Sequence, residues 1–205
     1  MTEIRSSDAT QTAIALFRAH GGVLHTAQAR RLGISPRTLY ALRDSGALER
    51  LSRGLYRLAD AAPFSSPDLV TVALKVPQAV ICLISALSFH NLTTQIPRAV
   101  DIALPRGARR PALDYPPLHV YWFSAPAWRE GAESHTLDGV TVRVYCPEKS
   151  VADMFKYRTK LGLDVALEAL RRYQRRQDFN VNRLLHYARV CRVEKVIRPY
   201  LEALL

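Results

Sequence analysis

Apolar residues recur at the three and four spacing of a helix face in three short stretches near the start of the chain. Residues 10–20 align Ala13, Leu16 and Phe17 on one stripe, which Gly21-Gly22 interrupts. A second stretch, residues 26–32, stops at Gly33. Ser35-Pro36 then supplies a capping side chain and the residue preferred at a first helical position. The helix it opens is predicted to run to about Ser45, burying Leu39 and Leu42, with Gly46 as its stop. Two helices joined through Gly33-Ile34-Ser35 predict a helix-turn-helix. Beyond it, Leu48 and Leu51 precede the turn Ser52-Arg53-Gly54, and Leu55, Tyr56 and Leu58 follow. A hairpin in that place is a wing.

Small residues and breakers gather over residues 60–67, so the boundary is placed near residue 62: a domain over 1–62 and a second over 63–205. In the second, residues 67–75 and 85–91 read as helices, and 79–83, 99–104 and 119–123 as strands. The loop between the last two holds four prolines and the cluster Arg106, Arg109 and Arg110. Leu137-Asp138-Gly139-Val140 marks a tight hairpin within 136–145. From Pro147 the pattern is helical, over 147–161, 163–175, 181–192 and 194–205. The expected fold class is α+β: an N-terminal winged helix-turn-helix domain, then a mixed α/β domain ending in helices.

Composition narrows the function. With 205 residues, 48% of them hydrophobic and 23% charged, the chain can fill a core. Its longest apolar run, residues 79–89, is broken by serines and falls short of the roughly 18 to 20 residues needed to cross a bilayer. The polar start has no secretory character, so a cytoplasmic protein without a membrane partner is expected. Cys82, Cys146 and Cys191 lie far apart among apolar neighbours and are read as buried thiols. The formal charge is +11, and only five of the 29 cations are lysine. Arginine excess suits a polyanion, because its planar fork grips a phosphate or a guanine edge with two parallel bonds.

The third helix concentrates that chemistry. With Leu39 and Leu42 inward, a rotation of about 100° per residue turns Arg37, Tyr40, Ala41 and Asp44 outward, with Arg43 at the flank and Thr38 beside them. Those side chains are placed to enter a major groove. Arg50, Arg53 and Arg57 on the wing, and Arg30 and Arg31 at the end of the second helix, are placed to hold the backbone or the minor groove. Within residues 1–60, nine cations face five acids. The competing reading is a winged helix used for protein contact, its arginines merely solvated.

Residues 22–58 and residues 147–173 together resemble the AbiEi-type antitoxins of bacterial type IV toxin–antitoxin systems. The second segment carries the more specific motif: Pro147-Glu148-Lys149, Asp153, Phe155-Lys156-Tyr157-Arg158 and Gly162-Leu163-Asp164. The resemblance implies an N-terminal domain that represses its own operon, and a C-terminal domain that counteracts a neighbouring nucleotidyltransferase toxin without requiring a direct complex. It also assigns the DNA-binding role to Arg30, Arg31, Arg37, Arg43, Arg50, Arg53 and Arg57. Operator binding would place two copies, as monomers or a weak dimer, on repeated half-sites of double-stranded DNA.

In the second domain Val151, Met154 and Phe155 form a core stripe. Lys149, Asp153, Lys156 and Lys160 are then left to pair, face solvent or meet a partner. Arg171, Arg172, Arg175 and Arg176 form a second basic cluster whose pairs four apart repel unless an anion or an acid such as Glu168 lies nearby. Lys149, Lys156 and these four arginines are the candidates for a secondary basic surface, either antitoxic or on flanking DNA. No cofactor or metal motif is recognised, and no enzyme is expected. The remaining alternatives are a stand-alone winged-helix regulator and a metal-dependent nuclease, for which Asp101 and Glu148 are the nearest carboxylates.

Overall fold

The computed structural model describes residues 2–52, 54–61 and 64–204. Contacts divide the chain into two compact units, Met1–Val70 with Thr136–Thr141, and Thr71–His135 with Val142–Leu205. The fold is mixed α and β, with ten helices and two sheets among the described residues.

The first unit begins with α1 (Thr2–Ala19), β1 (Val23–His25), α2 (Thr26–Arg31) and α3 (Pro36–Asp44), followed by β2 (Leu48–Ser52) and β3 (Leu55–Leu58). Helix α1 starts earlier than its apolar stripe, which marks only the part that buries Ala13 and Phe17. Between α2 and α3 the chain reverses at Gly33, whose φ of 87° favours glycine, and Ile34 N donates to Ala29 O at 2.9 Å. Ser35 Oγ accepts from Thr38 N at 3.1 Å and Pro36 occupies the first turn, so α3 opens where its capping residues stand. Strand β1 was not expected. It adds to the hairpin antiparallel to β3, with Leu24 opposite Tyr56, giving the order β1-β3-β2. Phe17, Leu24, Ile34, Leu39, Leu42 and Tyr56 meet in one core, which leaves the opposite face of α3 outward. Helix-turn-helix, wing and third strand make this a winged helix.

The remaining elements are α4 (Pro67–Lys75), β4 (Val80–Ile81), α5 (Leu83–Phe89), β5 (Val100–Pro105), β6 (Leu118–Phe123) and α6 (Ala125–Arg129). After them come β7 (Ala132–Leu137), β8 (Val140–Tyr145), α7 (Pro147–Leu161), α8 (Leu163–Gln174), α9 (Val181–Val190) and α10 (Glu194–Glu202). The sheet order is β6-β5-β4-β8-β7, with β5 parallel to β6 and antiparallel to β4. Strand β4 is shorter than expected because α5 already begins at Leu83. In the first turn of α5, Ser85 N donates to Asp101 Oδ2 on β5 at 3.3 Å, which satisfies one of the helix's free N–H groups.

Helix α7 lies in the middle of this unit, packed against α5, α8, α9 and α10. Every residue from Glu148 to Phe155 is therefore buried, the charged ones included. Lys149 is fully buried, so its expected place on a basic surface is corrected: neighbours cover α7 on several sides. Its Nζ sits 4.2 Å from the ring centre of Tyr145 and 4.8 Å from that of Phe123. Gly131, with φ of 79°, passes close above its stem, where an added Cβ would meet Lys149 Cβ at 2.8 Å. Cys82, Cys146 and Cys191 are buried free thiols in this unit. Burial pushes the Cys146 thiol up to about 12 and raises the other two as well.

Candidate nucleic-acid interface

Cap, core contacts and stop together fix which side of α3 meets solvent. Arg37, Tyr40, Ala41 and Asp44 are exposed there, as the rotation along the helix predicts. Arg37 has no side-chain partner among the described residues, and its place in the first turn aims a free fork away from the core. Tyr40 is 48% exposed, a large ring left in water on an otherwise well-packed unit. Arg43 lies over that ring at 5.1 Å and bonds Asp44 Oδ1 through Nε at 2.8 Å. That hydrogen bond raises the guanidinium's pKa further. Arg43 therefore positions Tyr40 and carries a neighbouring anion, which weakens its claim on a phosphate. Thr38 is half-buried and takes part in the cap, with its Oγ1 2.8 Å from Ser35 Oγ.

Around the helix, Arg30 and Arg31 in the last turn of α2 are exposed and have no side-chain partner among the described residues. Arg50 is exposed on β2, beside the irregularity in register between Arg50 and Ser52. Arg53 lies outside the described residues. Arg57 is half-buried: it donates to Ala61 O at 2.8 Å and its guanidinium lies 4.5 Å from the Phe64 ring centre. It ties down the chain leaving the wing. Arg18, not singled out from the sequence, is joined to Asp60 at 2.7 Å. Asp60 and Asp44 are thus taken by Arg18 and Arg43, and Arg30, Arg31 and Arg37 have no acid paired with them among the described residues.

The second basic cluster is partly neutralised. Arg172 Nε bonds Glu168 at 2.9 Å, one turn back along α8. Arg176 grips Asp178 at 2.7 and 2.9 Å and holds that carboxyl below its usual range. Arg171 and Arg175 stay exposed without a side-chain partner among the described residues, at the rim of a cavity of about 440 Å³ that Asn91 and Asp164 also line. Lys156 is exposed.

Of the carboxylates considered for metal binding, Asp101 is bonded by His119 and Ser85, while Glu148 forms an ion pair through Oε1 with Arg183 at 3.2 Å and its buried Oε2 has no hydrogen-bond partner among the described residues. The pairing of Asp101 with His119 was missed by the sequence reading. Its only signal was that each is the second residue or nearly so of an apolar run, which brings them level if the two strands are parallel.

No curated protein matches the chain. Among solved structures, the crystal structure of RV2827C protein from Mycobacterium tuberculosis is similar over 95% of this chain and 80% of that one, with 15% identity and a TM-score of 0.48. Residues 11–59, which hold the helix-turn-helix and both strands of the wing, match the family described as "Transcriptional regulator, AbiEi antitoxin".

Proposed function

We propose that the protein is a DNA-binding transcriptional repressor of its own operon, acting as the antitoxin of a type IV toxin–antitoxin system against a nucleotidyltransferase toxin. The observation that carries this is the outward face of α3, where Arg37 has no partner among the described residues, with Arg30 and Arg31 likewise without one in the last turn of α2, in a segment that matches an antitoxin regulator family. Helix α3 enters the major groove, with Arg37 reaching a guanine edge or phosphate and Tyr40 packing beside it. Arg30, Arg31, Arg50 and Arg53 hold the backbone and set the register. One winged helix buries little surface, so two copies occupy adjacent half-sites. The second domain opposes the toxin, and no stable complex between the two is required.

The test has two parts. Purified protein should protect its own promoter from nuclease digestion at physiological salt, and Arg37→Ala should lose that protection while its circular dichroism and melting temperature match the parent. Co-expression with the adjacent nucleotidyltransferase should restore growth. A folded parent protein that leaves its promoter unprotected would remove the repressor reading, and failure to restore growth would remove the antitoxin reading alone.

A further inference from the structure

The second unit contains a cavity of about 440 Å³ far along the chain from α3, with Ile84, Pro97 and Leu161 among its apolar walls. That volume is within the range of small-molecule sites. Ile96 stands at its rim, 88% exposed. Two basic side chains complete the lining. Arg98 is exposed and has no side-chain partner among the described residues, and His119 projects from β6 with its side chain 62% exposed.

The base of the cavity explains how His119 is held. Asp101 on β5 is directly in register with His119 on β6, and only 2% exposed. His119 Nδ1 lies 3.1 Å from Asp101 Oδ1, while Oδ2 accepts from Ser85 N. Burial pushes the Asp101 carboxyl up, and the bonds from His119 and Ser85 oppose that push. When Asp101 is ionised it only accepts, and Nδ1 then carries the hydrogen between them while Nε2 is left to the open side. The parallel ladder between β5 and β6 holds these strands together without this pair. What the pair adds is an imidazole whose ring is held in one orientation. The facing wall is fixed too, because Glu168 accepts from Thr93 Oγ1 and Thr94 N, each at 2.9 Å, at the start of the loop that leads to Ile96 and Arg98.

We propose that this cavity binds a small molecule that joins an apolar body to one carboxylate or phosphate, the anion held by Arg98 and His119 and the body by Ile84, Ile96, Pro97 and Leu161. On binding, Arg98 donates to the anion, and the His119 ring, turned by Asp101, presents Nε2 to it. An ammonium meets the like charge of the exposed Arg98, and both oxygens of Asp101 already have donors. A neutral apolar ligand leaves Arg98 and His119 facing it unpaired. The site is independent of the DNA-binding reading and is tested without DNA.

The probes are octanoate, octyl phosphate and octylamine, titrated into the full-length protein and followed by NMR of the His119 ring and the isoleucine methyl groups. Octanoate or octyl phosphate should shift both sets of signals saturably, with octylamine inert, and the tighter of the two anions identifies which group the site prefers. Arg98→Gln and His119→Asn, both at exposed side chains, should each weaken that binding about tenfold, the loss of one charge-assisted hydrogen bond. Three results would overturn the proposal: no saturable shift with either anion, equal affinity for octylamine, or unchanged affinity in both variants with their methyl spectra otherwise intact.

Discussion

Lys149 Nζ donates to Asp153 Oδ2 at 2.5 Å, one turn apart on α7, and neither side chain reaches solvent. The remaining oxygen of Asp153 accepts from Cys191 Sγ at 3.1 Å, and aromatic faces surround the ammonium. Every polar atom of the pair thus has company in an otherwise apolar core. Such a pair contributes little against apolar residues of similar volume, whereas one partner left alone is a buried charge without a counter-ion. Lys149→Met should therefore lower stability by about 3 to 5 kcal/mol, and the double change Lys149→Met with Asp153→Leu should recover most of it. Urea unfolding of the three proteins checks this, and a double variant no better than the single one would contradict it.

Arg37→Ala should weaken operator binding by about 1 to 3 kcal/mol and relax the preference at the base it reads. The check is a gel-shift series over operators changed one base pair at a time. A uniform loss across all of them would mean that Arg37 touches phosphate alone.

Arg30→Ala with Arg31→Ala should reduce the slope of log affinity against log salt by about 0.9 for each phosphate released. Charge reversal at Arg171 on α8 and at Arg175, which caps its C-terminus, both without a side-chain partner among the described residues, tests whether DNA also reaches that cluster. If it does, Arg171→Glu with Arg175→Glu flattens the slope. An unchanged slope assigns the cluster to some other partner or to solvent.

Burial lowers the pKa of His90 from 6.5, against the opposing hydrogen bond between Nε2 and Tyr145 O at 2.7 Å. As pH falls through about 6.5, the unfolded chain takes up this proton before the folded one does. Stability from this group is therefore complete above that value and is lost as the pH drops toward the folded pKa. The urea midpoint should fall less between pH 7 and 5.5 in His90→Gln than in the parent, whatever the variant's stability at pH 7.

The winged helix was legible because its signals are local. Ser35, Pro36 and Gly46 mark α3 to within a residue or two, and the spacing of Leu39 and Leu42 settles its outward face. Strand β1 escaped because three residues carry no alternation to read, and only the pairing of Leu24 with Tyr56 reveals it. The site was legible in part: Arg37, Arg30 and Arg31 stand where helical geometry puts them. The pairing of Arg43 with Asp44 and the folding of Arg57 onto Phe64 and Ala61 depend on rotamers and on chain beyond the wing. Lys149 was misplaced because a helix covered on several sides has no polar face, and the spacing of charges four apart reads alike for a buried pair and for a solvated one. The level placement of Asp101 and His119 needs the strand register, which spacing along one chain cannot supply.

Each sulfhydryl of the chain belongs to the second unit and is shielded there. A thiol-modifying reagent added to the native protein will therefore mark only molecules whose C-terminal part has opened, and will leave the winged helix chemically silent. The labelling rate becomes a clock for one half of the molecule, while DNA protection reports on the other. The two halves can be followed in the same tube without cutting the chain.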